Sequence, residues 1–471
     1  MSLKIAVIGG GITGLSAAFF LDRKIKEDGL DAEYVLFEAG DRLGGKISTD
    51  YTGGFVIENG PDSFLARKKS AAELGGQVGL NDSLVYNNAT SAYIYSNGGL
   101  HPMPGGAIMG IPTQWSPFLA TKILSPKAKA RAAADLVLPR TKKGDGDRSL
   151  GEFFRSRLGN EVVDRLIEPL LSGIYAGDIN DISLNATFPQ FQKMEDKHRS
   201  LILGMKSSMA KAPGESREKS VKKRGMFQTY TGGLQSLVEK IAEELQDGSV
   251  KTGAALQNVT KSDAGYTLTF RDGSSECFDR VIVTTPHHVT ASFFENDPAF
   301  DFLAEMPATS VATVAVAFDK SAVKEDIEGS GFLVPKGNGF TITACTWTHK
   351  KWNHTAPEGK ILLRAYVGRP GEEEIVDRSD DEIIDVVMDD LNRIMKLEGR
   401  PSFHRITRWY DSMPQYLVGH RERVTGLKEH LNSSWPGVYV AGASFEGIGL
   451  PDCIDQGTRA AEEALSVIDA E

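Results

Sequence analysis

An apolar run, Ile5-Ala6-Val7-Ile8, leads into Gly9-Gly10-Gly11-Ile12-Thr13-Gly14 and then into an apolar helical pattern from Leu15. Strand, G-x-G-x-x-G and helix in that order confine the start of the chain to a βαβ unit. Gly9 allows the tight turn, Gly11 lets backbone approach a pyrophosphate, and Gly14 lets helix and strand pack closely. The helix aims its unpaired N–H groups and the positive end of its dipole at the phosphates. With 49 glycines in 471 residues, the glycine spacing alone is a weak signal, and a βαβ unit without ligand is its bland explanation. The next strand adds weight to the binding reading. Tyr34-Val35-Leu36-Phe37 ends at Glu38, roughly 20 residues on, where such units carry an acid. Glu38 accepts hydrogen bonds from both hydroxyls of an adenine ribose and repels a 2′-phosphate, which disfavours an NADP-type cofactor.

The following segment separates one dinucleotide from another. Glu38-Ala39-Gly40-Asp41-Arg42-Leu43-Gly44-Gly45-Lys46 resembles the signature that follows the first unit in the flavin amine oxidase superfamily. Gly44 and Gly45 let backbone come close to the dinucleotide, and Lys46 adds positive charge near the pyrophosphate. Glu58-Asn59-Gly60-Pro61-Asp62-Ser63-Phe64 resembles the loop that runs under the flavin in that superfamily. At the far end, Gly437-Val438-Tyr439-Val440-Ala441-Gly442 reads as a strand ending in glycine. Ile448-Gly449-Leu450-Pro451-Asp452-Cys453 then opens an Ala-rich helix to about Val467. Pro451 suits a first helical turn and Asp452 the positive dipole end. Such a helix start can face the pyrimidine edge of a flavin and favour its reduced, negatively charged form. A plain NAD dehydrogenase has no need of this second glycine element.

The bulk numbers exclude other classes. A net charge of -10 argues against nucleic acid, which needs a basic face. Three scattered cysteines, Cys277, Cys345 and Cys453, form no disulfide framework or metal spacing and fit a reducing cytoplasm. No leader is expected before the first strand. No apolar run reaches the ~18 residues of a spanning helix. No histidine cluster suggests a metal, and His287-His288 reads as a solvated loop. Gly105 to Leu124, with Ile108, Ile111, Trp115 and Phe118 but no charge before Lys122, reads as buried channel lining. Peripheral membrane contact is the weaker alternative, since Pro112 and Pro117 interrupt the segment.

The length suggests two or three domains. The expected class is α/β with α+β insertions. A discontinuous Rossmann-like cofactor domain takes residues 1–84, 226–290 and 405–471. A mixed-sheet substrate domain takes 85–104 and 291–404, and a helical domain takes 105–225. Ser149-Leu150-Gly151-Glu152 reads as a capping box, followed by one apolar face through Leu150, Phe153, Phe154, Leu158, Val162, Leu166 and Leu170. Lys206 to Gly225 reads as a loop or linker. Helices are expected over Leu234–Leu245 and Asp380–Lys396. Tyr266–Phe270 alternates as a strand, and Asp279–Pro286 returns to the cofactor domain.

Nearly end to end, the chain resembles the soluble bacterial oxygen-dependent porphyrinogen oxidases of haem synthesis, which act on protoporphyrinogen or coproporphyrinogen III. The narrower matches are Leu100-His101-Pro102-Met103-Pro104, Glu168-Pro169-Leu170-Leu171-Ser172-Gly173-Ile174-Tyr175-Ala176-Gly177-Asp178 and Trp409-Tyr410-Asp411-Ser412-Met413-Pro414-Gln415-Tyr416. The resemblance implies non-covalent FAD. It would be held by Gly9, Gly10, Gly11, Ile12, Thr13, Gly14, Glu38, Ala39, Arg42, Gly44, Gly45, Lys46, Gly60, Pro61, Asp62, Ser63, the backbone at Val259, Trp409, Gly442, Ile448, Gly449 and Leu450. It also implies a substrate pocket between helical and sheet domains, lined by Gly173 and Ile174 after a helix break at Pro169, and by Tyr366. Where eukaryotic-type enzymes carry a propionate-binding Arg, this chain has Ala92 before Tyr93-Ile94-Tyr95. Lys68 and Lys69 are the substitute anchors considered, beside the equally plain reading of a solvated helix start. No catalytic side chain is implied: flavin takes the electrons and O2 reoxidises it, giving H2O2. Transient contact with the next haem-pathway enzyme is a further implication. The alternatives are an amine oxidase or carotenoid-desaturase-like flavoenzyme and, more remotely, a non-enzymatic dinucleotide-binding protein.

Overall fold

Ile5 and Val7 face one side of the first strand and Ala6 and Ile8 the other, yet all four are buried. A strand covered on both faces belongs inside a parallel sheet. The computed structural model describes residues 2–89, 91–141, 146–210, 225–263 and 265–466. In it, five parallel strands lie in the order Val250–Lys251, Ala32–Phe37, Leu3–Ile8, Arg280–Val283 and Val438–Val440. This layer therefore draws on the beginning, middle and end of the chain. Helices Ile12–Asp28, Gln235–Glu244 and Leu450–Leu465 cover the face of Ile5 and Val7. The other face packs on an antiparallel sheet of Leu256–Ser262, Gly265–Phe270 and Ser275–Phe278, and on helix His420–Ser434.

A second, seven-stranded sheet runs Phe403–Pro414, Ala308–Asp319, Lys360–Val367, Ile342–Trp347, Gly331–Leu333, Tyr93–Ser96, Gly99–Pro102. All its pairs are antiparallel except that of Gly331–Leu333 with Tyr93–Ser96. Asn97 and Gly98, both at positive φ, make the turn between the last two strands, as a tight hairpin requires. Helix Asp380–Met395 covers one face. Its start, not Ser149, carries the full capping box, formed by Ser379 and Glu382. Ser149 accepts from the Glu152 N–H, which is half of the box expected there.

Helices between Trp115 and Ala210 form the third unit around their own apolar core. Ile111, Phe118, Ile123 and Leu124 are buried in it, so the segment from Gly105 is core packing, with Leu119 exposed. Pro169 does not break the helix. Val163–Ile167 winds one π-helical turn immediately before helix Glu168–Tyr175, and the wider turn accommodates a residue that lacks an N–H.

Several expected boundaries move. Residue 405 falls inside strand Phe403–Pro414, which stays in the seven-stranded sheet through its pairing with Ala308–Asp319. Leu84–Tyr86 pairs with Phe227–Tyr230 rather than joining the seven-stranded sheet. Helices His287–Ser292 and Asp301–Glu305 pack on the parallel-sheet side. Lys206 lies within helix Leu201–Ala210, while 211–224 of the expected linker fall outside the described residues. His287 is not solvated: it is buried, with Nε2 at 2.9 Å from the Met306 carbonyl and Nδ1 at 3.2 Å from Ser444 Oγ. Burial lowers its pKa to about 4, so it is a neutral structural residue. No described helix is long and apolar enough to cross a membrane.

The helical unit holds a buried charged cluster at its centre. Arg157 is buried against Asp135 at 2.6 Å and Glu195 at 3.3 Å, and donates to the carbonyls of Pro139 and Arg199. Arg157→Ala strips buried Asp135 of its ion pair and leaves Glu195 with Arg148 alone, and breaking a buried pair costs about 3–5 kcal/mol. Urea unfolding should show a loss of that size, and a loss below about 1 kcal/mol would mean that solvent reaches the pair.

Candidate cofactor and active site

The glycine turn has three different constraints at its three glycines. Gly9 adopts φ +107, which an L side chain rarely does. A Cβ on Gly14 would lie 1.9 Å from the Gly9 carbonyl, so no side chain fits there. A Cβ on Gly11 would meet nothing within 4 Å. Gly11 thus opens onto free space, at a helix start with no side-chain cap. Unpaired N–H groups facing open space are what an anionic ligand needs.

Around that opening the predicted pieces converge. The Glu38 carboxylate accepts from the N–H of Gly10 at 2.6 Å and of Gly40 at 2.8 Å, which fixes its oxygens beside the turn. Gly44 donates to the Gly10 carbonyl at 2.8 Å, and a Cβ on Gly45 would press on Gly11 Cα at 3.2 Å. Arg42 is spent on the turn itself, donating to the carbonyls of Gly45 and Ile47 at 2.7 and 3.0 Å. It thereby shapes the double-glycine turn. Lys46 is half-buried, donates to the Ser412 carbonyl, and has no ion pair among the described residues; desolvation lowers its pKa. A partly desolvated cation without a carboxylate fits an anionic ligand. At Val259 the N–H donates to the Phe293 carbonyl at 3.2 Å and the side chain is in the core, so the N–H is not the backbone group offered there.

The loop Glu58–Ser63 is fastened to the seven-stranded sheet. A Cβ on Gly60 would sit 1.8 Å from the Lys46 carbonyl. The Asn59 carbonyl accepts from Trp409 Nε1 and Thr313 Oγ1, both at 2.9 Å, and from Arg364 at 3.3 Å. Arg364 also donates to the Gly60 carbonyl. Lys351 pairs with Asp62 at 2.7 Å. Burial pushes the Asp62 carboxyl up, but Lys351 and Arg364 outweigh it and hold it well below the usual carboxylate range. Glu58 has no such pairing. It accepts from the Leu234 N–H and Thr49 Oγ1, and burial raises its carboxyl to about 7.

The far glycine loop arrives at the same place. A Cβ on Gly442 would lie 3.5 Å from Thr13 Oγ1. Tyr416 Oη donates to the Ala443 carbonyl and accepts from the Gly447 N–H. Gln456 Oε1 accepts from the Gly442 N–H. Gly449 caps helix Leu450–Leu465, with Pro451 in its first turn. Lys68 pairs with Asp452 of that turn at 2.6 Å, whereas Lys69 is exposed at the start of helix Ser70–Gln77.

Gly173 and Ile174 lie on helix Glu168–Tyr175 and face open space. Ile174 is 45% exposed, and a Cβ on Gly173 would meet nothing within 4 Å. That helix packs against strand Ile342–Trp347, whose Ala344 is paired with Tyr366. The Tyr366 ring lies 5.1 Å from the Arg364 guanidinium. Arg364, Lys351, Tyr416 and Gln456 were not foreseen as functional. Arg364 had a visible signal, an arginine inside the apolar strand Ile361-Leu362-Leu363-Arg364-Ala365-Tyr366-Val367. No group of three or more His, Cys, Asp or Glu among the described residues is placed to hold a metal.

The family model for flavin-containing amine oxidoreductases matches residues 12–465. The chain is 52% identical to the coproporphyrinogen III oxidase of Bacillus subtilis (strain 168) over 464 residues, 98% of each chain. It is 42% identical to the enzyme of that name from Staphylococcus aureus, over 99% of this chain and all of the other. A crystal structure from Exiguobacterium sp. 255-15, provisionally named a protoporphyrinogen oxidase, superposes with TM-score 0.87 at 38% identity over the whole of both chains.

The raised Glu58 carboxyl gives a pH dependence. Its contribution to stability is whole below its ordinary value of 4.5 and is lost as pH rises through about 7. Glu58→Gln removes the titration. Between pH 5 and 8 the wild type should lose stability relative to this variant, by up to about 3 kcal/mol. Urea melts at both pH values check this, and a constant difference would refute it.

Proposed function

The chain belongs to the flavin-containing amine oxidoreductase family, and from that membership we propose that it is an oxygen-dependent porphyrinogen oxidase of haem synthesis. We assign it FAD, bound non-covalently, and coproporphyrinogen III as preferred substrate over protoporphyrinogen IX. The observation that supports this most is the 52% identity, end to end, with a relative named for that reaction. The cradle fits the cofactor: an open helix start at Gly11, a carboxylate at Glu38, a half-buried cation at Lys46 and a braced glycine loop at Gly447–Leu450. Glu38 suits the adenine ribose, which favours FAD over a mononucleotide.

When bound, flavin would supply a two-electron acceptor, which O2 reoxidises while itself being reduced to H2O2, and three rounds remove the six electrons that separate a porphyrinogen from a porphyrin. The chain positions the flat macrocycle and keeps water away. Gly173 and Ile174 offer a side-chain-free and an apolar surface on one side of the ring, and Tyr366 an aromatic edge on the other. No side chain is assigned a proton transfer. Coproporphyrinogen carries four propionates to protoporphyrinogen's two, so dispersed lysines suit it better than one bidentate arginine. Lys69 is the exposed cation of the pair considered, since Lys68 is held by Asp452. The three free cysteines fit a cytoplasmic site of action.

Two measurements test this. The purified protein should be yellow and consume O2 only with a porphyrinogen, with a higher kcat/KM for coproporphyrinogen III than for protoporphyrinogen IX by porphyrin fluorescence. A clear preference for protoporphyrinogen, or turnover of amines, would overturn the substrate assignment. Glu38→Ala should weaken FAD binding about tenfold to a hundredfold, the worth of a charged hydrogen-bond pair. Unchanged affinity in titration of the apoprotein would place Glu38 away from the ribose.

A further inference from the structure

Beside the loop Asn59–Ser63 lies a small space lined by Glu58, Asp62, Thr348, Trp352, His354 and Arg364, among others. It leaves about 10 Å³ for the centre of a water-sized molecule, which is the room of a single water. Two polar atoms on its wall are buried without any hydrogen-bond partner: Arg364 Nε and Thr348 Oγ1. Arg364 is 3% exposed and Thr348 is 6% exposed, so bulk solvent does not serve them. Nη2 of Arg364 is occupied by the carbonyls of Asn59 and Gly60.

We propose that one ordered water molecule fills this space, joins Arg364 Nε to Thr348 Oγ1, and so braces Arg364 as the positioning residue of the Asn59–Ser63 loop. The positioning role rests on the reading that this loop runs under a flavin. The chemistry selects a neutral occupant. An anion would face the carboxylate of Asp62, and a cation would face Arg364 and Lys351. A water accepts the Arg364 Nε–H and keeps two hydrogens to give, one to Thr348 Oγ1 and one toward the carboxyl groups. It thereby satisfies both unpaired atoms at once. Fixed at Nε and Nη2, the guanidinium has one orientation. It clamps the Gly60 carbonyl on one side and stacks on Tyr366, 5.1 Å away, on the other. The same cation thus sets the loop against the strand that carries Tyr366.

Thr348→Val is nearly isosteric and removes only the hydroxyl, and Thr348 touches neither cofactor nor substrate in this assignment. With the water present, the variant loses one of its ligands. Its Tm should fall, FAD affinity should drop about fivefold, and the visible flavin bands should shift, while Thr348→Ser restores all three. In a dry cavity the same change deletes an unpaired hydroxyl, so Tm would rise with flavin affinity and spectrum unchanged, and the proposal would be overturned. A crystal structure of the wild-type holoenzyme decides independently of the variant. It should show a water within hydrogen-bond distance of both Arg364 Nε and Thr348 Oγ1, and an empty cavity would refute the proposal. None of these measurements uses a porphyrinogen. Failure of the substrate assignment appears instead as absent turnover in a protein that binds flavin normally.

Discussion

Two backbone approaches closer than any side chain permits hold the parallel-sheet layer together. A Cβ on Gly14 would lie 1.9 Å from the Gly9 carbonyl, and one on Gly457 would lie 2.1 Å from the carbonyl of Thr13. The first helix is thereby wedged between the glycine turn and the closing helix Leu450–Leu465. Its open N-terminus is pinned at the ends of strands Leu3–Ile8, Arg280–Val283 and Val438–Val440. The other parts of the candidate site are referred to that point. Gly442 lies over Thr13, Gly44 pairs with Gly10, and Glu38 grips the turn from the next strand. Interiors at crystalline density transmit such constraints instead of absorbing them.

The second sheet is coupled to this layer by charge and hydrogen bonding more than by apolar packing. Asn59 and Gly60 offer their carbonyls to Arg364, Trp409 and Thr313, all from strands of the seven-stranded sheet. Lys351 reaches Asp62 from the segment after strand Ile342–Trp347. In low dielectric these contacts are strong when complete and costly when broken. One loop thus belongs to both layers, and the surface that carries Tyr366 is registered to the glycine turn through it. Tyr416 does the same for the helical unit: it packs in that unit's core beside Tyr175 and ties down the backbone of Gly447 and Ala443.

The features legible in the sequence were those with local causes. The glycine turn, the acid closing the second strand, and the Pro451 helix start each follow from backbone geometry or a dipole within a few residues. The two expected helices lie close to their predicted bounds, Gln235–Glu244 and Asp380–Met395, because each is a strong amphipathic pattern with defined ends. What else lies nearby was not legible. Arg42 is turned onto the carbonyls of Gly45 and Ile47, and the Val259 N–H onto that of Phe293. His287 looked solvated until Met306 and Ser444 enclosed it.

The sequence by itself determined the βαβ opening, the return of the chain to the same layer at its end, and the identity of the residues that meet at the glycine turn. Tertiary structure alone decided what stands beside the Asn59–Ser63 loop. Arg364 and Gly60 are 304 residues apart, and Lys351 and Asp62 are 289 apart. A propensity or a spacing acts over a turn or two of chain. The partner of a buried charge is chosen by which distant strands the hydrophobic cores bring side by side, and no local pattern encodes that choice.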